Sequence, residues 1–359
     1  MGNFKIEKKL FTENGSIAIT SLQTGKNGKL YIGFTSMDHP VAEYDTKTGE
    51  HRDIGLMFNP PQNNIPLHDK VHNSLAMDEN DVLYVGQGLN TSWDGGPYAF
   101  DLKKYGGGRL FAYDTKTEAV TDFGVMVPFN AIHGLVYNKK TRSVCGYTIP
   151  DNHFFRFEID KRKVTDYGKI SDYACHNFIT DAEGNAYGAY LMKRNYDTGI
   201  GQQDIKKGTY LMKYDVKKDE LLKTRNMIVY GMEYDIFGNV GVDSWILTSG
   251  GEVFGGTAIG GSIFKVNKDD TIEFVGKPAL GPRLTSMEEG KDGLIYGCAG
   301  FPHMSLFTFD PKTYEIKNHG IICEEGLHWY LHCIAIGEDG TIYGGETDAG
   351  KASLVTIKL

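Results

Sequence analysis

Several things are scarce in this 359-residue sequence, and each scarcity removes a class of protein. No stretch approaches the roughly 20 apolar residues of a membrane-spanning helix, and Met1-Gly2-Asn3-Phe4-Lys5 is not followed by the apolar core of a signal peptide. Segments of helical hydrophobic period are few. Basic residues are outnumbered, 38 Lys and Arg against 46 Asp and Glu. The net charge of −8 argues against nucleic acid, whose phosphates call for a basic face. A few local cations would still serve an anionic sugar. The five cysteines are odd in number and show no C-x-x-C spacing, which speaks against a disulfide framework or a cysteine metal site. The expected location is the cytoplasm, or outside the cell if a leader has been removed. No membrane or nucleic-acid partner is expected. No Pro/Ser linker or low-complexity run divides the chain, so residues 1–359 are expected to form one domain.

What is abundant is glycine, 45 residues, and aromatics, 12%. They fall into a unit that recurs seven times. Each unit has a hairpin turn, such as Gly25-Lys26-Asn27-Gly28, Asp181-Ala182-Glu183-Gly184 or Glu338-Asp339-Gly340. An apolar pair and usually a glycine follow: Leu30-Tyr31-Ile32-Gly33, Leu83-Tyr84-Val85-Gly86, Ile295-Tyr296-Gly297, Ile342-Tyr343-Gly344. A third run then ends in a second turn, as at Tyr44-Asp45-Thr46-Lys47 and Tyr113-Asp114-Thr115-Lys116. Four short strands repeated in this way predict an all-β, seven-bladed β-propeller, because one such sheet cannot bury both faces alone. The seventh copy has only three strands, and Phe4–Leu10 is a spare strand at the other end. The two ends are expected to share the last blade, which leaves no open sheet edge.

About eleven residues before the aromatic of each second strand, where the first strand lines the channel, stand Thr20, His72, His133, His176, Asp243, Thr285 and His332. Four of these seven are histidine, out of 11 in the whole chain. Past the second strands, at positions expected on the same face, are Gln87, Tyr147, Tyr190 and Glu346. A lone histidine at a strand start ordinarily satisfies a nearby carbonyl. Four equivalent ones should instead converge on one funnel mouth, the place where propellers bind ligands. Two long loops on that face carry Trp93 and Tyr98, and Arg194 and Tyr196. Aromatic faces beside amides and charges suit a carbohydrate. Arg194 or Arg283 could pair bidentately with a substrate carboxylate, and Asp243 stands at the same ring as a further substrate contact. His72, Gln87, His332 and Glu346 form a mixed N/O set for a divalent ion, Mn, Zn or Ca. No organic cofactor is expected.

The inner strands His72-Asn73-Ser74-Leu75, His176-Asn177-Phe178-Ile179 and His332-Cys333-Ile334-Ala335 carry a resemblance. The chain resembles the seven-bladed propeller lyases, of the ulvan and oligogalacturonate types and, more distantly, the virginiamycin B lyase-like family. The resemblance implies a carbon–oxygen lyase that cleaves uronate-containing oligo- or polysaccharide by β-elimination. It also implies His133, Tyr147, His176 and Tyr190 as the proton-transfer groups, with an arginine or metal neutralising the uronate carboxylate. The residue types suit that chemistry, since imidazole titrates near neutrality and positive charge stabilises the enolate-like intermediate. Three other readings stay open. A glycosidase would need two carboxylates at the ring, where only Asp243 and Glu346 stand. An iron oxygenase with four histidines would need an apolar tunnel where this chain has tyrosines. A non-catalytic sugar-binding or protein-interaction propeller would read its partner with its rim.

Overall fold

The computed structural model describes residues 4–11, 16–36, 39–56, 69–89, 106–171, 176–197, 203–230, 241–322, 330–347 and 352–359, with the side chains of 69, 192–207 and 230 outside that description. Among the described residues every regular element is a strand. Seven antiparallel sheets follow one another around a ring, as the repeat predicts. In blade three, for instance, Ala131–Asn138, Ser143–Ile149, His153–Glu158 and Lys163–Lys169 are paired in chain order from channel to rim.

Blade seven closes the ring. Lys5–Leu10 pairs antiparallel with Ser353–Lys358, from Lys5 opposite Lys358 to Leu10 opposite Ser353. The outer edge of this blade therefore comes from the start of the chain and its inner three strands from the end. Lys8 reaches across to the fully buried Glu346, Nζ to Oε2 at 2.7 Å. One departure from the four-stranded plan occurs in blade one. Asp69–Lys70 pairs with the end of Lys29–Ser36 and with Gly88–Leu89, which makes that sheet six-stranded and ties it to blade two.

The core lies between the faces of neighbouring blades. One apolar cluster joins blades three, four and five through Phe154, Phe178, Tyr214, Trp245 and Phe264. Another joins blades seven and one through Tyr343, Leu354, Ile19 and Phe34. The recurrent second-strand glycine is explained by this packing. A Cβ on Gly146 would lie 2.0 Å from the Phe155 ring, and one on Gly255 would lie 2.2 Å from Phe264. An aromatic of the third strand occupies that space in both blades, so a side chain there would displace the ring that fills the blade interface.

Candidate functional site

A second feature recurs at the channel end of the inner strands, and the repeat pattern alone did not reveal it. Five of the seven first strands carry a β-bulge against their partners. In each, the residue left over by the register shift is a member of the ring: Thr20, His133, Asp243, Thr285 and His332. A bulge leaves one residue without a ladder partner and re-aims its side chain. In blade two Asn73, at φ 47°, bends the chain directly after His72, a conformation that asparagine tolerates better than most residues. These local irregularities bring residues from separate blades to one place.

The four histidines meet there. The rings of His72 and His133 are stacked, with centroids 3.8 Å apart and planes 16° from parallel. His332 meets His72 edge to face at 4.5 Å, and His176 lies 5.3 Å from His72 and 5.6 Å from His133. One donor nitrogen from each of His72, His176 and His332 falls within 4.8 Å of the others. Tautomers follow from the contacts. Nδ1 of His72 is 3.1 Å from the carbonyl oxygen of His133, which can only accept, so Nδ1 carries the proton. In neutral His72 that leaves a bare lone pair on Nε2, 2.9 Å from Nε2 of His332. Two bare lone pairs at that distance repel, so His332 donates through Nε2 and its Nδ1 is bare. Nδ1 of His332 and Nε2 of His133 are buried with no hydrogen-bond partner among the described residues.

Burial depresses the affinity of these imidazoles for a second proton. It holds His72, His133 and His332 well below the ordinary histidine value, and nearby positive charges act in the same direction. For His72 the next contribution is His133, followed by Lys70; for His332 it is Lys70, followed by His176 and Arg283. Neutral imidazole is the ligand form for a metal. Imidazole donors suit a divalent ion of intermediate softness, and ligation through both Nε2 atoms would move the His332 proton to its Nδ1, which has no hydrogen-bond partner among the described residues.

Asp243 and Arg283 stand at the edge of the cluster. Asp243 Oδ1 is 3.5 Å from His176 Nδ1, and Arg283 Nε donates to Asp243 Oδ2 at 2.8 Å. The Arg283 guanidinium lies over the Tyr330 ring, 4.5 Å from its centroid. The other expected site residues make contacts with groups outside the four histidines. The Tyr147 hydroxyl donates to Asn152 Oδ1 at 2.8 Å, the Tyr190 hydroxyl donates to the Thr224 carbonyl, and both rings belong to the apolar cluster of blades three to five. Gln87 Oε1 accepts from the backbone of Arg109 at 3.3 Å, and Glu346 faces Lys8. The bulge explains this sorting: Tyr147 pairs with Gly134, not with His133, so the two side chains lose the shared face that unbroken alternation would give them. Among the four expected metal ligands, His72 and His332 are joined by His176. Trp93 lies outside the described residues, as do the side chains of Arg194 and Tyr196.

Lys70 and Tyr330 were not singled out from the sequence. Each precedes a cluster histidine, His72 or His332, by two positions, the strand period that places residues on one face, and that spacing was the available signal. A cavity of about 280 Å³ lies along the inner strands, lined among others by Gln23, Asn73, Asn177, Ser244, Ser286 and Glu288.

No protein-family profile and no curated protein matches the chain. Solved structures of the same fold do. A streptogramin B lyase superposes with a TM-score of 0.64 at 11% identity, over 99% of this chain and 98% of that one. Virginiamycin B lyase from Staphylococcus aureus gives 0.66 at 10% identity, over 99% and 100%. The WD40 repeats of RRP9 give 0.59 at 11% identity, over 99% and 97%. At such identities the likeness shows the propeller fold, which lyases and WD40 proteins share.

Proposed function

We propose that the protein is a carbon–oxygen lyase that opens an acidic oligosaccharide by β-elimination at the histidine end of the channel, with a divalent ion held by His72, His176 and His332. The observation that carries this reading is the convergence of four imidazoles from four blades on one point, three of them with donor nitrogens within 4.8 Å. A structure of virginiamycin B lyase with one histidine changed to alanine is described as catalytically inactive, which supports histidine-dependent chemistry on this fold.

His133 is the base in this scheme. Its Nε2 has no partner among the described residues, and an anionic substrate alongside would raise its proton affinity from the depressed value of the free protein. Nε2 takes the proton α to the carboxylate. The C–H electron pair becomes the new C=C bond as the C–O bond to the leaving sugar breaks, and the leaving oxygen takes the proton now held on His133 Nε2, which leaves a hydroxyl on that sugar and returns the imidazole to its neutral form. No water is consumed, and the double bond is conjugated with the carboxylate. The bound ion would supply charge stabilisation at the carboxylate as enolate character develops. Lys70 adds a positive field from the side of blade one, consistent with its depression of the His72, His133 and His332 values.

One observation favours a second reading. His72, His133 and His332 are only 2%, 8% and 9% exposed, so an ion there could staple blades two, four and seven in a propeller that binds without catalysis. Incubation of the Mn²⁺-loaded protein with a panel of uronate oligosaccharides, followed by ultraviolet absorbance of the unsaturated uronate, separates the two. The lyase reading expects absorbance that grows with time, stops on chelation and is lost in His133→Ala. Metal binding that raises the melting temperature while no substrate yields the chromophore would leave the stapled binding protein.

A further inference from the structure

We propose that Asp243 and Arg283 are a buried positioning couple that holds His176 in one tautomer, with its Nδ1 proton toward Asp243 and its Nε2 lone pair offered to the cluster. This assigns both residues a role other than substrate recognition. It rests on the reading of the histidines as a metal site only for its effect on affinity; the tautomer itself stands apart from that reading.

Blade five holds the start of blade four at two points. The Asp243 carboxylate faces His176 Nδ1 at 3.5 Å, and Asn177 Nδ2 donates to the Asp243 main-chain carbonyl at 2.5 Å. Blade five thus faces the His176 ring and holds its chain neighbour. Asp243 is in turn fixed by the Arg283 Nε at 2.8 Å, with both side chains about 95% buried. An unpaired carboxylate at that depth would be costly. The Arg283 guanidinium offsets its charge and holds Oδ2, which leaves Oδ1 as the acceptor facing Nδ1. A carboxylate behind a ligating histidine is the usual way that ring orientation and tautomer are set at metal centres.

The backbone of Arg283 shows how firmly the couple is built. It is a non-glycine residue at φ 69°, a conformation that persists only where the surroundings over-determine it. Its N–H donates to the Ala258 carbonyl at 2.8 Å, and its own carbonyl accepts from Gly300 N–H at 2.8 Å. Arg283 is therefore pinned to the exits of the second strands of blades five and six, and its guanidinium is stacked on Tyr330, two residues before His332. One arginine so connects the surroundings of His176 with those of His332. A planar guanidinium performs both tasks, a directed Nε–H bond and a face-on stack, which lysine cannot reproduce.

The test uses the full chain, freed of metal by chelation and carrying isotope-labelled histidine, with nitrogen–proton correlation spectra read for the His176 ring. The wild type is expected to show the proton on Nδ1, and Asp243→Asn a mixture of tautomers. Mn²⁺ affinity by titration calorimetry is expected to fall about 10- to 100-fold in Asp243→Asn and also in Arg283→Met, with Arg283→Lys recovering only part of the loss. A role in stability alone would shift the melting temperature and leave the tautomer unchanged. His176 protonated on Nε2 in the wild type would overturn the proposal, even if the variants fail to fold. The same tautomer and the same affinity in Asp243→Asn would also overturn it. A wild type that binds no Mn²⁺ but shows the Nδ1 tautomer would sink the metal reading and leave the positioning couple intact.

Discussion

Acidification should unfold this protein through its own candidate site. His72, His133 and His332 are buried in neutral form, chiefly by desolvation, with folded-state values well below the ordinary one. In the unfolded chain each titrates near about 6.5. The unfolded state therefore binds more protons between these limits, and stability is greatest above the unfolded value and falls as pH drops below it. If none of the three is protonated in the folded state, going from about pH 7.5 to about pH 5.5 costs about 1.4 kcal/mol per histidine, about 4 kcal/mol together. That is a large share of the 5–15 kcal/mol by which domains are ordinarily stable. Denaturant unfolding at a series of pH values in the presence of chelator measures it, since a bound ion would add its own proton linkage. The part-buried His319 also has a lowered value and contributes in the same direction, so the decisive comparison is between variants. Glu288, raised to about 7 chiefly by desolvation, opposes the loss in this window and is common to all the variants. Relative to the wild type, His133→Asn should remove about 1.4 kcal/mol of the loss and the triple asparagine variant about 4 kcal/mol. Superimposable pH profiles for the wild type and the triple variant would show that these imidazoles are not buried neutral in the folded state.

Other expectations follow from single contacts. Lys8→Met leaves the buried Glu346 carboxylate without its cation at the ring closure, and should lower stability by about 2–3 kcal/mol in denaturant unfolding; a loss below about 0.5 kcal/mol would mean the closure does not depend on this pair. Deleting residues 1–10 removes the whole closing strand and should lower the melting temperature well beyond that single substitution, whereas unchanged melting would contradict the closure. Tyr147→Phe and Tyr190→Phe each lose a hydroxyl bonded outside the histidine cluster. Each should cost about 1 kcal/mol of stability and leave turnover within about threefold; a fall of about 100-fold would return the tyrosine to the reaction. Mn²⁺ at about 100 times its dissociation constant should stabilise the wild type by about 2.7 kcal/mol and His332→Ala hardly at all, as read from melting in the two proteins.

The architecture was legible because it is periodic. The apolar-Gly strand ends and hairpin turns mark all seven blades, and Phe4–Leu10 had no other place in a ring short of one strand. The four histidines were legible for the same reason, as equivalent positions in equivalent units. The side chains beside them were less so, because unbroken alternation along the strands was assumed. A one-residue bulge reverses the face of everything beyond it. At His133 and His332 that bulge separates the histidines from Tyr147 and Glu346 in register and isolates them at the channel. No local signature in the sequence announces such a bulge, since His, Asp and Thr all occupy it. Asp243 and Arg283 were legible as polar residues near the ring, but their pairing with each other depends on the contact between blades five and six, which lies 40 positions apart in the chain. Lys70 owes its place to the short strand that joins blades one and two, a departure from the repeat that a periodic reading passes over.

The central claim, elimination at the histidine cluster, is tested most directly by cleaving a uronate oligosaccharide with the Mn²⁺-loaded protein in water enriched in heavy oxygen and examining both new ends by mass spectrometry. β-Elimination predicts one unsaturated uronate end and one reducing hemiacetal end, neither carrying oxygen from the solvent when read at early times, before the anomeric oxygen exchanges with water, with no product from His133→Ala. Cleavage that places solvent oxygen in a saturated product, or equal elimination by His133→Ala, would contradict the account.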